Sequence, residues 1–147
     1  MKFTIPRSLK IEHEELHEEL AKATKASGKI GDAAKAVVNV LHPHFIKEEE
    51  YALPPLGVLR LISDGKTVPE MGDVLKMTEK LKADLPHMLK EHKSIVTALK
   101  VLTEASRKEK KMEYVQFADK LILHAQNEEK VLYPTALLIG EYVKLRK

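Results

Sequence analysis

Two eleven-residue segments, HFIKEEEYALP at 44–54 and HAQNEEKVLYP at 124–134, carry one polar pattern: His first, Glu-Glu four and five positions later, and Pro at the close. On a helix, residues four apart lie on one face about a turn from each other. His44 with Glu48, and His124 with Glu128, therefore each present an imidazole and a carboxylate to one point. A chain that repeats such a pair on two helices can bring two acids and two imidazoles to a common centre, which is the donor chemistry of a cation site.

The repeat extends backwards in each half. LKIEH, ending at His13, resembles MLKEH, ending at His92; 79 residues separate His13 from His92, and 80 separate His44 from His124. Each half thus reads as a helix with one His followed by a helix with His-x-x-x-Glu, as two helical hairpins packed about a pseudo-twofold axis would.

Apolar spacing is helical nearly everywhere, with no sustained two-residue alternation. It predicts an all-α fold, one domain over 1–147: an antiparallel up-down four-helix bundle with a short C-terminal helix. The first helix is expected from an N-cap at Ser8 to about Gly28, with Leu9, His13, Leu16, Leu20 and Ala23 inward. The second runs from an N-cap at Asp32 to Leu53, with Val37, Leu41, His44, Glu48 and Tyr51 inward, Pro43 bending it and Pro54-Pro55 stopping it. Residues 54–67 read as a connector closed by a Ser-Asp-Gly turn, its apolar residues covering one bundle end. The third helix opens near Thr67 and carries Leu81, Leu85, Met88, His92, Ile95, Leu99 and Leu102, with Pro86 kinking or dividing it and Asp84 as the new cap. The fourth spans about Lys111 to Leu132, with Phe117, Leu121, His124, Glu128 and Val131 inward, until Tyr133-Pro134 interrupts it; a last helix from Thr135 is expected to pack outside.

Six polar residues, His13, His44, Glu48, His92, His124 and Glu128, fall on stripes otherwise made of Leu, Val, Met and Phe. A buried, unpaired carboxylate is costly, and two meeting near one point would force one to keep a proton unless cations sit between them. A dinuclear site resolves this, each carboxylate bridging both ions while two imidazoles complete each. The remaining polar candidates read more plainly. His17 reads as a supporting or surface residue within reach of the site's edge, His42 and His87 as surface, and Glu49 and Glu129 point to solvent or to Lys. Glu91 is a candidate supporting acid, and Tyr51 and Tyr133, which the spacing allows just below the metals, read as core with their hydroxyls satisfied.

With 44% apolar residues the chain can bury a core, and without Cys it has no disulfide, thiolate metal site, iron–sulfur cluster or cysteine nucleophile. His and carboxylate donors suit iron, manganese or zinc. A net charge of +3, from 25 basic and 22 acidic residues interleaved along the helices, argues against a nucleic-acid partner. The opening MKFTIPRSLK holds no apolar run of signal-peptide length and no segment approaches a bilayer span, so no membrane role and a cytoplasmic location are expected.

The order His, His-x-x-x-Glu, His, His-x-x-x-Glu, together with KEEEYALPPL after His44 and NEEKVLYP after His124, resembles the hemerythrin-like family of HHE cation-binding domains over about Leu9 to Leu138. The resemblance implies two non-haem irons joined by an oxo or hydroxo bridge, with His13, His44, Glu48, His92, His124 and Glu128 as ligands and both Glu bridging; zinc or manganese would suit the same donors. Oxygen-carrying members pair two His at i,i+4 on the third helix and end with Asp five after the last His. This chain has a single inward His there and Glu at four, as in the four-His, two-Glu branch. The function so implied is binding of O2 or NO, with an unnamed redox partner. The alternatives are a di-iron oxidase or peroxidase, an iron–sulfur repair protein, or a zinc-bound or metal-free helical interaction module.

Overall fold

The computed structural model describes residues 4–67 and 70–146, and among these there is no strand. Six α-helices succeed one another: α1 (Arg7–Thr24), α2 (Gly28–Lys47), α3 (Leu59–Ser63), α4 (Met71–Lys108), α5 (Met112–Asn127) and α6 (Tyr133–Arg146). α1 packs on α2 and α5, and α4 packs on α2 and α5, which closes the four-helix ring.

The first two helices start earlier than side-chain capping suggests. α1 begins behind Pro6, whose carbonyl accepts the N–H groups of Leu9 and Lys10 at 3.0 and 3.1 Å, so Ser8 lies inside the helix. Proline's fixed φ suits this position. α2 begins at Gly28, four residues before Asp32, and Gly28 itself takes φ +69° at the turn from α1. α4 opens at Met71 rather than at Thr67; residues 68 and 69 lie outside the described ones.

Neither internal proline breaks its helix. Pro43 and Pro86 are both exposed, so the carbonyls of Asn39 and Lys82, which lose their N–H partners, face water. α4 runs 38 residues through Pro86, and Asp84 caps nothing: it accepts the Tyr51 hydroxyl.

The closing prolines of the repeat have another effect. Pro54 and Pro134 have no N–H to return to Glu50 and Lys130, and the N–H just before each, of Leu53 and Tyr133, reaches back five residues to Glu48 and Glu128. Each copy therefore widens into one π turn, Glu48–Ala52 and Glu128–Leu132. The extra residue rotates the helix beyond it. Tyr133 is buried, like its counterpart Leu53; Val131, expected inward, is 50% exposed, although Tyr51 at the same place in the first copy is buried.

Because α4 is far longer than α1 or α5, its first half needs other cover. α6 supplies it. Expected outside, this helix instead buries Tyr133, Ala136, Ile139, Gly140 and Val143 against α4. The connector, a 3₁₀ turn at Pro54–Val58 leading into α3, lids the same end with Pro54, Pro55, Leu56 and Val58 buried. The core thus divides in two. One cluster holds Leu16, Leu20, Val37, Leu41, Ile95, Leu99, Phe117 and Leu121; the other holds Leu53, Val58, Val74, Leu81, Met88, Ile139 and Val143. Along α4 the change falls between Met88 and Ile95, which places His92 at the boundary.

The α4–α6 contact is tight at one point: a Cβ on Gly140 would lie 2.3 Å from Thr78 Oγ1 and 2.6 Å from its Cβ. Thr78 is buried, so it has little room to yield. Gly140→Ala is expected to destabilise the protein by about 1–3 kcal/mol through overpacking, measured by chemical denaturation; an unchanged midpoint would show that this pair of helices can spread.

Candidate metal centre

All six polar residues of the inward stripes meet between the two apolar clusters, each 6% exposed or less. Their donor atoms form two sets. His13, Glu48, His124 and Glu128 offer atoms within 4.8 Å of one another, and so do His44, Glu48, His92 and Glu128. Both carboxylates belong to both sets, and each helix of the ring contributes.

In the first set, His13 Nε2 lies 3.8 Å from Glu48 and 3.7 Å from Glu128, and His124 Nε2 lies 3.1 Å from Glu128. In the second, His44 Nε2 is 3.5 Å from Glu48, His92 Nε2 is 3.2 Å from Glu128, and the two imidazole nitrogens are 2.9 Å apart. Four buried atoms of the first set, His13 Nε2, Glu48 Oε1, His124 Nε2 and Glu128 Oε2, converge without meeting hydrogen-bond geometry, even where His124 and Glu128 stand 3.1 Å apart. Buried polar atoms are rarely left so. Donors converging without partners fit a cation.

A second ring of acids holds the imidazoles. Nδ1 of His13 faces Glu49 at 3.4 Å, that of His44 faces Glu91 at 3.0 Å, that of His92 faces Glu129 at 2.8 Å, and that of His124 contacts Glu12. A carboxylate on Nδ1 fixes the tautomer, so Nε2 is left for whatever occupies the centre. Glu91, the acid expected to give such support, also binds Lys47 at 3.1 Å. Glu49 and Glu129, expected towards solvent or Lys, serve the same role, because the helix turns that aim them away from their own His aim them at a neighbour's. Lys10 still lies 3.7 Å from Glu49.

Glu12 stands apart from every sequence expectation, yet a signal for it exists: Glu12 precedes His13 as Glu91 precedes His92, and Glu49 succeeds Glu48 as Glu129 succeeds Glu128. The repeat is thus realised in space, Glu12 with His124 matching Glu91 with His44, and Glu49 with His13 matching Glu129 with His92.

The remaining histidines stay outside. His17 meets the edge of Phe45 at 4.9 Å, and Phe45 stacks on His13 at 4.1 Å; His42 and His87 are exposed. Tyr133, expected as core, is buried but reaches the site: its hydroxyl donates to Glu48 at 2.5 Å and lies 3.2 Å from Nε2 of both His44 and His92. Tyr51 does not reach it. A groove of about 620 Å³ beside α1 and α5, lined by Ile11, Glu12, Leu123, His124 and Asn127 among others, leads to the His124 edge.

The protein's own groups describe a centre that wants positive charge. Burial, with the neighbouring charge of Glu128, pushes Glu48 up to about 7, while Glu128, also pushed up by burial, is held well below the carboxylate range by Glu48 and the imidazoles around it. On these groups alone the pair shares a proton. Burial lowers His44 and His124, but the glutamate carboxylates close to them more than reverse it, so both stand at about 9.

Residues 4–136 match the family model of the hemerythrin HHE cation binding domain. The chain belongs to this family. Neither a curated protein nor a solved structure matches it. In this hemerythrin domain the fold's four helices and the buried His/Glu cluster agree with the cation-binding character of the family. Among the described residues no helix is long and apolar enough to cross a membrane.

The imidazole shifts set a pH dependence for metal uptake. Below about 9, His44 and His124 carry protons that an ion held by them would have to displace, so affinity is expected to rise with pH and protons to be released on binding. Competitive metal titrations at several pH values would show this; affinity independent of pH would contradict it.

Proposed function

We propose that this hemerythrin domain is a non-haem di-iron protein that binds O2 or NO. The supporting observation is the pair of four-donor sets sharing Glu48 and Glu128. On this reading His13 and His124 would hold one ion and His44 and His92 the other, with Glu48 and Glu128 serving both. When bound, two irons with two imidazoles each would offer redox electrons and a coordination position short of six to a small ligand.

The chain's own residues do the rest. Glu48 and Glu128 supply the negative charge that lets two cations lie close in a buried centre. Glu12, Glu49, Glu91 and Glu129 orient the imidazoles from outside, and the apolar clusters on either side keep water out. The surface groove lined by Glu12 and His124 borders the outer edge of one of these imidazoles, the side of the centre nearest solvent there.

The test is anaerobic loading of the apoprotein with ferrous iron, then O2 or NO in separate samples and visible absorption. A charge-transfer band that appears with gas and reverses on its removal is the expected result. Turnover of a reductant without a persistent band would favour an oxidase or peroxidase, and zinc retained in preference to iron would remove the redox reading.

A further inference from the structure

The pseudo-twofold is broken at one buried position beside the centre. The tenth residue of the eleven-residue repeat is Leu53 in the first copy and Tyr133 in the second, and both are fully buried, at 0% and 1% exposed. Leucine has no donor atom. Tyr133 places a phenol oxygen among three donors of a single set: 3.2 Å from His44 Nε2, 3.2 Å from His92 Nε2 and 2.5 Å from Glu48 Oε2.

Those distances carry a geometric meaning. Donors bound to one ion at about 2.1 Å in octahedral directions stand about 3 Å from their neighbours. His44 Nε2 and His92 Nε2 are 2.9 Å apart, and the phenol oxygen completes a near-equilateral triangle with them, as the third corner of one coordination face would. Around the other set, His13 Nε2, His124 Nε2, Glu48 Oε1 and Glu128 Oε2 have no partner of this kind.

Resting on the di-iron reading above, we infer that the Tyr133 oxygen is a fifth protein donor to the ion held by His44 and His92, while the ion held by His13 and His124 keeps its open position. The phenol proton leaves to solvent as the metal binds, as from any protonated ligand. The two ions are then unlike, and an exogenous ligand goes to the one beside the groove that reaches His124.

The experiment loads wild type, Tyr133→Phe and Tyr51→Phe with ferrous iron under anaerobic conditions, oxidises them, and records iron per chain and the visible spectrum. The Tyr51 hydroxyl bonds Asp84, which makes that variant the control. Wild type and Tyr51→Phe are expected to hold two irons and show a phenolate-to-ferric band; Tyr133→Phe is expected to keep two irons and lose the band. Two irons in wild type with no such band, or with a band that Tyr133→Phe retains, would overturn the inference and leave the di-iron reading standing. Absence of iron from wild type would overturn both. Should Tyr133→Phe not fold, Raman excitation within the wild-type band decides: tyrosine ring modes that shift on ring deuteration support the inference, and their absence overturns it.

Discussion

Glu128→Ala is expected to abolish stoichiometric metal binding at both positions, because one carboxylate serves both donor sets. His13→Ala, which removes a donor from one set only, is expected to keep one ion. The stability consequence comes from linkage. A ligand present at about a thousand times its Kd stabilises the folded state by about 4 kcal/mol, which for a chain of this size raises Tm by roughly 10 °C. Wild type should show that rise when metal is added, and Glu128→Ala should show none. Metal analysis and thermal denaturation with and without metal check both halves. A Glu128→Ala protein that still takes up two ions and gains thermal stability from them would remove Glu128 from the shared position.

Glu91→Ala is expected to weaken metal binding by about 10–100-fold without touching a proposed ligand, since outer partners of ligating histidines carry effects of that size. Glu91 holds His44 through Nδ1 at 3.0 Å, and its removal frees the ring to turn and to change tautomer. Because Glu91 also binds Lys47, Lys47→Ala is the control that separates loss of the ion pair from loss of the imidazole support. Half-loss concentrations of metal in a chelator competition would read the difference. Equal affinity in Glu91→Ala and wild type would show that packing orients His44, for instance against the His92 ring 4.6 Å away.

The residues of the centre are legible in the sequence because burial of six polar side chains on apolar stripes is a sharp pattern, and because the chain writes it twice. His13 and His92 fall on the same stripes as Leu16 and Ile95, and the structure brings them to the same centre as His44 and His124. The outer acids are harder to read. Glu12, Glu49 and Glu129 sit on half-exposed helix faces, where a solvated carboxylate is the usual outcome, and only the neighbouring helix reveals their partners.

The C-terminal third is the least legible, for a related reason. A steady 3.6-residue period leaves Tyr133 outward, but the π turn at Glu128–Leu132 adds a residue and brings it to the centre. Pro134 is the visible trace of that shift, since a proline that cannot return its N–H loosens the preceding turn. α6 is apolar on nearly every side, so periodicity does not say which face packs; the uncovered half of α4 decides it. Pro86 does not divide its helix, because both Pro86 and Pro43 are exposed and water can take the place of the lost hydrogen bonds.

The most direct test of the central claim is diffraction at the iron absorption edge from crystals grown with ferrous iron. Two anomalous peaks are predicted, one between His13 and His124 and one between His44 and His92, with Glu48 and Glu128 reaching both. A single peak touching only one pair of histidines, or no peak between the two carboxylates, would contradict the account.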